Sequence, residues 1–414
     1  MLLSSIKSIK YHNIVIQKIK QLNTNILDKK VQEFIDKNLN SDITKLILKG
    51  SPFENVSIQE LSNQIIGKQK SKNKLPHWFT TKNIYYPAKI SIEQTSSEVS
   101  AKYKASLVSG KNLIDITGGF GVDAFYFSEK FDKVTHAEIN KELSEIVTHN
   151  YNQLAIKNIQ TIAGNGLDFL KETTEKFDCI YIDPSRRSDI KGKVFLLKDC
   201  LPNVPENIDF LFTKSNTILI KNSPMLDITA TLNELKFVKE VHVIAVNNEV
   251  KELLFLLKKN NKEAIDIKTV NLLKNSNQNF NFKYKNKPNT TYSLPAKYLY
   301  EPNAAILKSG GFNEVTNQYD IKKLHQHSHL YTSEELILNF PGRTFKIEEV
   351  YPYNKKKLKK QLTVSKANIT TRNFPKTVAQ IRTETKLKDG GDSYLFFTTN
   401  SNNELIVVNC TKAS

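Results

Sequence analysis

The chain has 414 residues, 39% hydrophobic and 25% charged, a globular composition too apolar for disorder. One core stops growing at about 250–300 residues, so two or three domains are expected. The net charge of +18 suggests a polyanionic partner such as nucleic acid, although AT-rich codons give the same excess of Lys, Asn and Ile without selection for binding.

In chain order, the opening "MLLSSIKSIKYHNIVIQKIK" sets lysines inside its apolar stretch and has no small-residue cleavage site, so no signal peptide is expected. No apolar run nears the ~18 residues of a membrane span, and a soluble, cytoplasmic protein is predicted. Residues 1–88 read as a helical N-terminal domain. "ILDKKVQEFIDKNL" and "SIQELSNQIIGKQ" carry apolar residues at helical spacing, and Ser57 with Glu60 forms a capping box. Next, "GKQKSKNKLPHWF" alternates Lys68, Lys70, Lys72 and Lys74 before Trp78, the only Trp. It reads as a solvated linker or as a basic, aromatic-tipped contact with a phosphate backbone.

Residues 89–268 alternate short apolar, strand-like runs with helical ones: "NLIDI" and "GVDAFYFSEK", "KVTHAEI" and "KELSEIVTHNYNQL", "IQTIAG" and "LDFLKET", then "FDCIYID", "NTILIKN" and "DITATLNELK". This predicts an α/β, Rossmann-like, doubly wound parallel sheet, because parallel strands need long crossovers. "KEVHVIAV" and "VKELLFLLKK", joined by Asn247-Asn248, predict an antiparallel hairpin at its end. Residues 269–330 read as a linker or small ferredoxin-like segment, and 331–414 as a separate α+β domain. Cys179, Cys200 and Cys410 are scattered without CxxC spacing and indicate neither a disulfide framework nor zinc.

The residues that carry chemistry follow predicted strands. After Asp115, Gly118, Gly119 and Gly121 open a helix, where glycines let backbone N–H groups approach a ligand. Glu138 ends the next strand, as a carboxylate that binds both hydroxyls of a ribose would. Gly119-x-Gly121-x-x-Ala124 with a downstream acid also fits a dinucleotide fingerprint. Gly164-Asn165 after the third strand and Asp183-Pro184 after the fourth are features a nicotinamide enzyme does not need.

Taken together, "DITGGFG", Glu138 in "THAEIN", Asn165 in "AGNGLDF" and Asp183-Pro184 in "DPSRR" resemble the class I S-adenosylmethionine-dependent methyltransferases. The resemblance implies S-adenosylmethionine as cofactor, with Asp115, Thr117, Gly119 and Gly121 at its methionine part, Glu138 on the ribose, Asn165 on the adenine and Asp183 beside the transferred methyl. Thr117 stands where a first glycine is usual, and Asn165 where an Asp is commoner. "LPHWFTTKNIYYPAKISIEQTSSEVSAKYKASL" and "KANITTRNFP…KLKDGGDSYLFFTT" extend the likeness to a bacterial family with a C-terminal THUMP-like domain, which implies an RNA partner, transfer RNA first.

That resemblance gives "DPSRR" a catalytic meaning. In the (Asp/Asn)-Pro-Pro-aromatic motif of N-methyltransferases, the side chain and the next carbonyl hold the target NH2. The grip turns the amine lone pair towards the methyl group and offsets the positive charge that develops. Here Ser185 replaces the second proline and Arg186 the aromatic. Asp183, Pro184, Ser185 and Arg186 are therefore the expected catalytic set, with Arg186 or Arg187 stacking on a base or meeting a phosphate. The alternative is a clamp on Asp189. Lys221, after the fifth strand, is expected to touch substrate. Arg343 and Arg372, two of only five arginines, are expected phosphate ligands in the C-terminal domain.

His325, His327 and His329 in "HQHSH" would share a strand face, more simply a surface cluster than a metal site; no metal is expected. The run Lys355, Lys356, Lys357, Lys359 and Lys360 reads equally as phosphate contact or solvated turn, and "LKDGGDSY" as a hairpin turn. No cysteine adjoins Asp183, which disfavours covalent pyrimidine C5-methylation. The competing functions are a small-molecule or protein methyltransferase, and a non-catalytic RNA-binding relic.

Overall fold

A computed structural model describes residues 22–87, 89–186 and 196–413. The chain divides into two units. Unit one takes residues up to 105 together with 117–172, and unit two takes 106–116 together with 173 onward.

The sheet strands are β1 (Gly110–Asp115), β2 (Phe131–Glu138), β3 (Ile159–Ala163), β4 (Cys179–Ile182), β5 (Thr217–Asn222), β6 (Val238–Val246), β7 (Glu249–Lys258), β8 (Asp266–Leu272) and β9 (Asn277–Lys283). In unit one, β2 and β3 pair in parallel. Their helices include α1 (Ile58–Lys74), α2 (Glu98–Ala105), α3 (Val122–Phe127) and α4 (Lys141–Gln153). The Ser57–Glu60 capping box is present at the start of α1. This helix runs on to Lys74, so the alternating lysines lie on a helix and not in a linker. Lys68 pairs with Asp36 at 2.5 Å, Lys70 pairs with Glu93, and the Lys74 ammonium caps the Ile92 and Glu93 carbonyls. Trp78 is fully buried among Phe120, Phe125 and Tyr126. It is a core residue with no face for a base.

In unit two the strands run β9-β8-β6-β7-β5-β4-β1. Pairs β1·β4, β4·β5 and β6·β8 are parallel, and β5·β7, β6·β7 and β8·β9 antiparallel. The β4–β5 crossover passes through the helix Val204–Lys214. Asn247 and Asn248 both take positive φ, +50° and +65°, which is the primed turn that matches hairpin twist and makes β6–β7 the expected hairpin. β4 and β5 are buried on both faces apart from Lys221, as their unbroken Ile, Leu and Tyr runs require.

Unit two also holds a second sheet built from β10 (Tyr298–Pro302), β11 (Tyr331–Ser333), β12 (Gly342–Pro352), β13 (Asn368–Arg372), β14 (Tyr394–Thr399) and β15 (Leu405–Lys412). Its order is β11-β10-β12-β15-β14-β13, with Lys322–Lys323 at the β11 edge. One apolar cluster joins Leu299, Phe345, Phe396 and Val408; another joins Ile381, Leu395 and Phe397. Gly390 and Gly391 have positive φ, but their turn leads from the helix Val378–Thr385 into β14, which runs parallel to β13. It does not close a hairpin. The Lys355 run starts a helix, Lys355–Gln361, capped by Asn354.

Candidate active site

In unit one a glycine-rich turn runs from Thr117 to Gly121 and is held by Glu138. The Gly118 N–H bonds the Ala137 carbonyl at 2.8 Å. One oxygen of the Glu138 carboxylate accepts the Gly119 N–H at 2.7 Å, and the other accepts the Asn140 N–H, also at 2.7 Å. Gly121 sits at φ +78°, where a Cβ would lie 2.3 Å from the Tyr151 hydroxyl, and that hydroxyl donates to the Gly121 carbonyl at 2.8 Å. A Cβ on Gly118 would strike the His136 ring at 2.3 Å. Both glycines are therefore required by the fold itself.

Gly119 and Gly164 differ. A Cβ on Gly119 would meet only the Thr117 carbonyl oxygen at 3.9 Å, and one on Gly164 would meet nothing within 4 Å. No neighbouring atom demands a glycine at 164, and the open space beside both positions suits a ligand lying on the backbone. This fits a nucleoside cofactor over the turn. Asn165 caps the helix Gly166–Glu172, its side-chain oxygen accepting the Leu167 N–H at 2.9 Å.

Sequence reasoning passed over three polar features. His136 is fully buried beneath the turn, and neither ring nitrogen has a partner of good geometry among the described residues. Burial, partly offset by the nearby Gly118 backbone, pulls its pKa down to about 4, so the ring is neutral. The Lys104 ammonium, also fully buried, pairs with Asp123 at 3.1 Å, and Ser96 bridges the two; this ties α2 to the first turn of α3. In unit two, Asn222 is 2% exposed and neither end of its amide is hydrogen-bonded among the described residues. Burying such an amide unsatisfied costs on the order of 1–3 kcal/mol. The signal available in sequence was only a polar residue closing an apolar strand.

Unit two carries the other predicted residues. Asp115 ends β1, 1% exposed. Asp183 follows β4 and Lys221 lies in β5. Because Ile182 registers with Ile220, the next positions, Asp183 and Lys221, stand opposite each other, and the Lys221 ammonium donates to the Asp183 carboxylate. Pro184 is buried, while Ser185 and Arg186 are exposed in a two-residue strand paired with Cys200–Leu201. Arg187 and Asp189 lie outside the described residues. Cys200 is buried and its thiol pKa is pushed up to about 11 by burial, so it is no ready nucleophile.

Arg343 and Arg372 converge on one carboxylate. Arg343 donates through two nitrogens to one oxygen of the buried Glu301, and Arg372 donates to the other at 2.8 Å. His325 accepts from Asn373 at 3.0 Å and bonds Asn403 at 3.0 Å, latching a turn onto β13 and the β14–β15 connection. His329 stacks on Phe312, ring centroids 3.6 Å apart. The three histidines do not share a strand face, and no group of metal ligands occurs among the described residues. Among the described residues no helix is long and apolar enough to cross a membrane.

The parallel strands linked by helices have the architecture of a class I methyltransferase. An inferred methyltransferase from Porphyromonas gingivalis W83, solved as a crystal structure, is 32% identical to this chain. The match covers 94% of this chain and 99% of that one, at a TM-score of 0.85. Residues 298–341 match the family described as a ferredoxin-like domain, and 342–412 the one described as THUMP domain-like. The chain belongs to this family of class I S-adenosylmethionine-dependent methyltransferases with a ferredoxin-like and THUMP-like C-terminal part. M. capricolum TrmK with S-adenosylhomocysteine (17% identity, 39% of this chain and 68% of that one, TM-score 0.29) is too distant to argue from. So is a Streptococcus mutans inferred methyltransferase with the same ligand (19%, 39% and 96%, TM-score 0.29). No curated protein matches significantly.

Proposed function

We propose that the protein N-methylates a base in RNA, transfer RNA being the first candidate. The observation that carries this reading is the Asp183–Lys221 contact: the carboxylate after β4 accepts from an alkylammonium, and the same oxygen chemistry would accept from a target NH2. Bound S-adenosylmethionine supplies an electrophilic methyl group. Thr117, Gly119, Gly121 and Glu138 would hold it through the turn backbone and the ribose hydroxyls, with Asp115 at its methionine part and Asn165 at its adenine. Asp183 and the Pro184 carbonyl would fix both amine hydrogens, leaving the lone pair as the free direction of attack, and the carboxylate would stabilise the charge that grows on nitrogen. Ser185, Arg186 and Arg187 would border the substrate, with the exposed Arg186 stacking on a base.

The net charge of +18 and the THUMP-like domain support RNA. Arg343 and Arg372 would serve a phosphate only alongside their clamp on Glu301. A second reading, methylation of a protein or small-molecule amine, draws on the same contact, since Lys221 is itself an alkylammonium. Labelled methyl transfer separates the two. Incorporation into RNA, with RNA affinity falling steeply between 50 and about 200 mM salt, is expected. Incorporation into protein or a small amine, with salt-insensitive RNA binding, would refute the RNA target.

A further inference from the structure

We infer that Asp183 and Lys221 act as a matched acceptor and donor that read an amidine edge, an NH2 beside an unprotonated ring nitrogen, so that the target base is adenine or cytosine. This rests on the N-methylation reading above and adds the identity of the base. The two side chains face each other across the β4–β5 ladder at its carboxyl end, with side-chain exposures of 34% for Asp183 and 13% for Lys221. Lys221 follows the buried apolar run Ile218–Ile220 and is the one residue of β5 that is not fully buried. A lysine there sits on the catalytic carboxylate itself, and sheet stability does not call for it.

A carboxylate accepts and an ammonium donates. Side by side, they complement a base whose edge presents a donor next to an acceptor. Adenine offers N6–H2 beside N1, and cytosine N4–H2 beside N3. Guanine's Watson–Crick edge sets a ring N–H next to its amine, which leaves Lys221 facing another donor, and uracil has no amine. The ammonium rests on Asp183; with a base in place it would move to the ring nitrogen, and the amine would take its place on the carboxylate.

The pairing also decides which nitrogen is methylated. In free adenine and cytosine the ring nitrogen is the better nucleophile, because the exocyclic lone pair is delocalised into the ring. A proton donor on N1 or N3 ties up that lone pair. The amine nitrogen then forms the new N–C bond as the donor's C–S bond breaks. It sheds its surplus proton to Asp183 and on to water, while Lys221 stays protonated. Lys221 is thus a positioning and specificity residue.

The test has two readouts. Without methyl donor, the protein should bind five-nucleotide oligo(A) or oligo(C) at least about fivefold more tightly than oligo(G) or oligo(U) of the same length, and Lys221→Met should erase that preference. With donor and total RNA from cells lacking this protein, mass spectrometry of nucleosides should find N6-methyladenosine or N4-methylcytidine. Lys221→Met should shift product towards 1-methyladenosine or 3-methylcytidine, and Lys221→Arg, which keeps a donor, should restore the exocyclic product. Methylation of guanosine, uridine or ribose would overturn the edge reading while leaving RNA methylation standing. So would an unchanged product ratio in a folded Lys221→Met protein. Absence of transfer to any RNA would refute the RNA target, and this inference with it.

Discussion

Replacing Glu138 by Gln removes one of the two acceptor oxygens that pin the glycine turn proposed to hold the cofactor. The wild-type carboxylate receives the Gly119 and Asn140 N–H groups, one on each oxygen, both at 2.7 Å. A glutamine amide has a single acceptor oxygen, so one of these backbone donors must face an NH2 group. Leaving such a donor unmet costs about 1–3 kcal/mol, or roughly 5- to 150-fold in an equilibrium that depends on the turn. Side-chain shape is preserved, so the fold should survive with a loss of several degrees in melting temperature. Calorimetric titration with S-adenosylhomocysteine should show the affinity falling within that range. A folded Glu138→Gln protein that binds the ligand within about twofold of wild type would refute the claim that this carboxylate sets the cofactor turn.

Other expectations follow from the same structure. Gly121→Ala forces a Cβ onto the Tyr151 hydroxyl at φ +78°; the left-handed conformation alone costs about 1–2 kcal/mol, and ligand titration should register more than tenfold weaker binding. The depressed His136 pKa of about 4 against an unfolded 6.5 means the unfolded chain binds the extra proton. Its contribution to stability is complete above pH 6.5 and is lost on acidification, by about 2 kcal/mol at pH 5. Melting temperatures measured from pH 7.5 to 5 should fall, and a flat profile would contradict a buried neutral ring. Trp78→Ala should cost about 3–5 kcal/mol in denaturant unfolding, as expected for a core residue. Arg372→Ala should lower the melting temperature while changing the salt slope of RNA binding by less than about one unit; a larger drop would mark a phosphate contact.

Much of this was readable in the sequence because local rules and fold agree. The Ser57–Glu60 box, the primed Asn247-Asn248 turn and the strand-helix alternation each depend on neighbours close in sequence. Misreadings came where packing overrides appearance. Helix α1 carries Gly67 and Ser71 on its buried face, Gly67 because a Cβ there would meet Tyr86 at 2.5 Å; those small residues hide the apolar stripe and made the lysines look like a linker. His325 finds Asn373 and Asn403, 48 and 78 residues away, and Glu301 finds Arg343 and Arg372, 42 and 71 away. No spacing rule announces such contacts. The site residues stood out as polar groups ending apolar strands, but the facing of Lys221 with Asp183 needs the β4–β5 register, which only the folded sheet supplies.

The most direct measurement compares modified nucleosides in RNA from cells carrying the wild-type protein, no protein, or Asp183→Ala. One N-methylated nucleoside should be present in the first and missing from the other two. Identical nucleoside profiles in all three would contradict the assignment of Asp183 to RNA methylation.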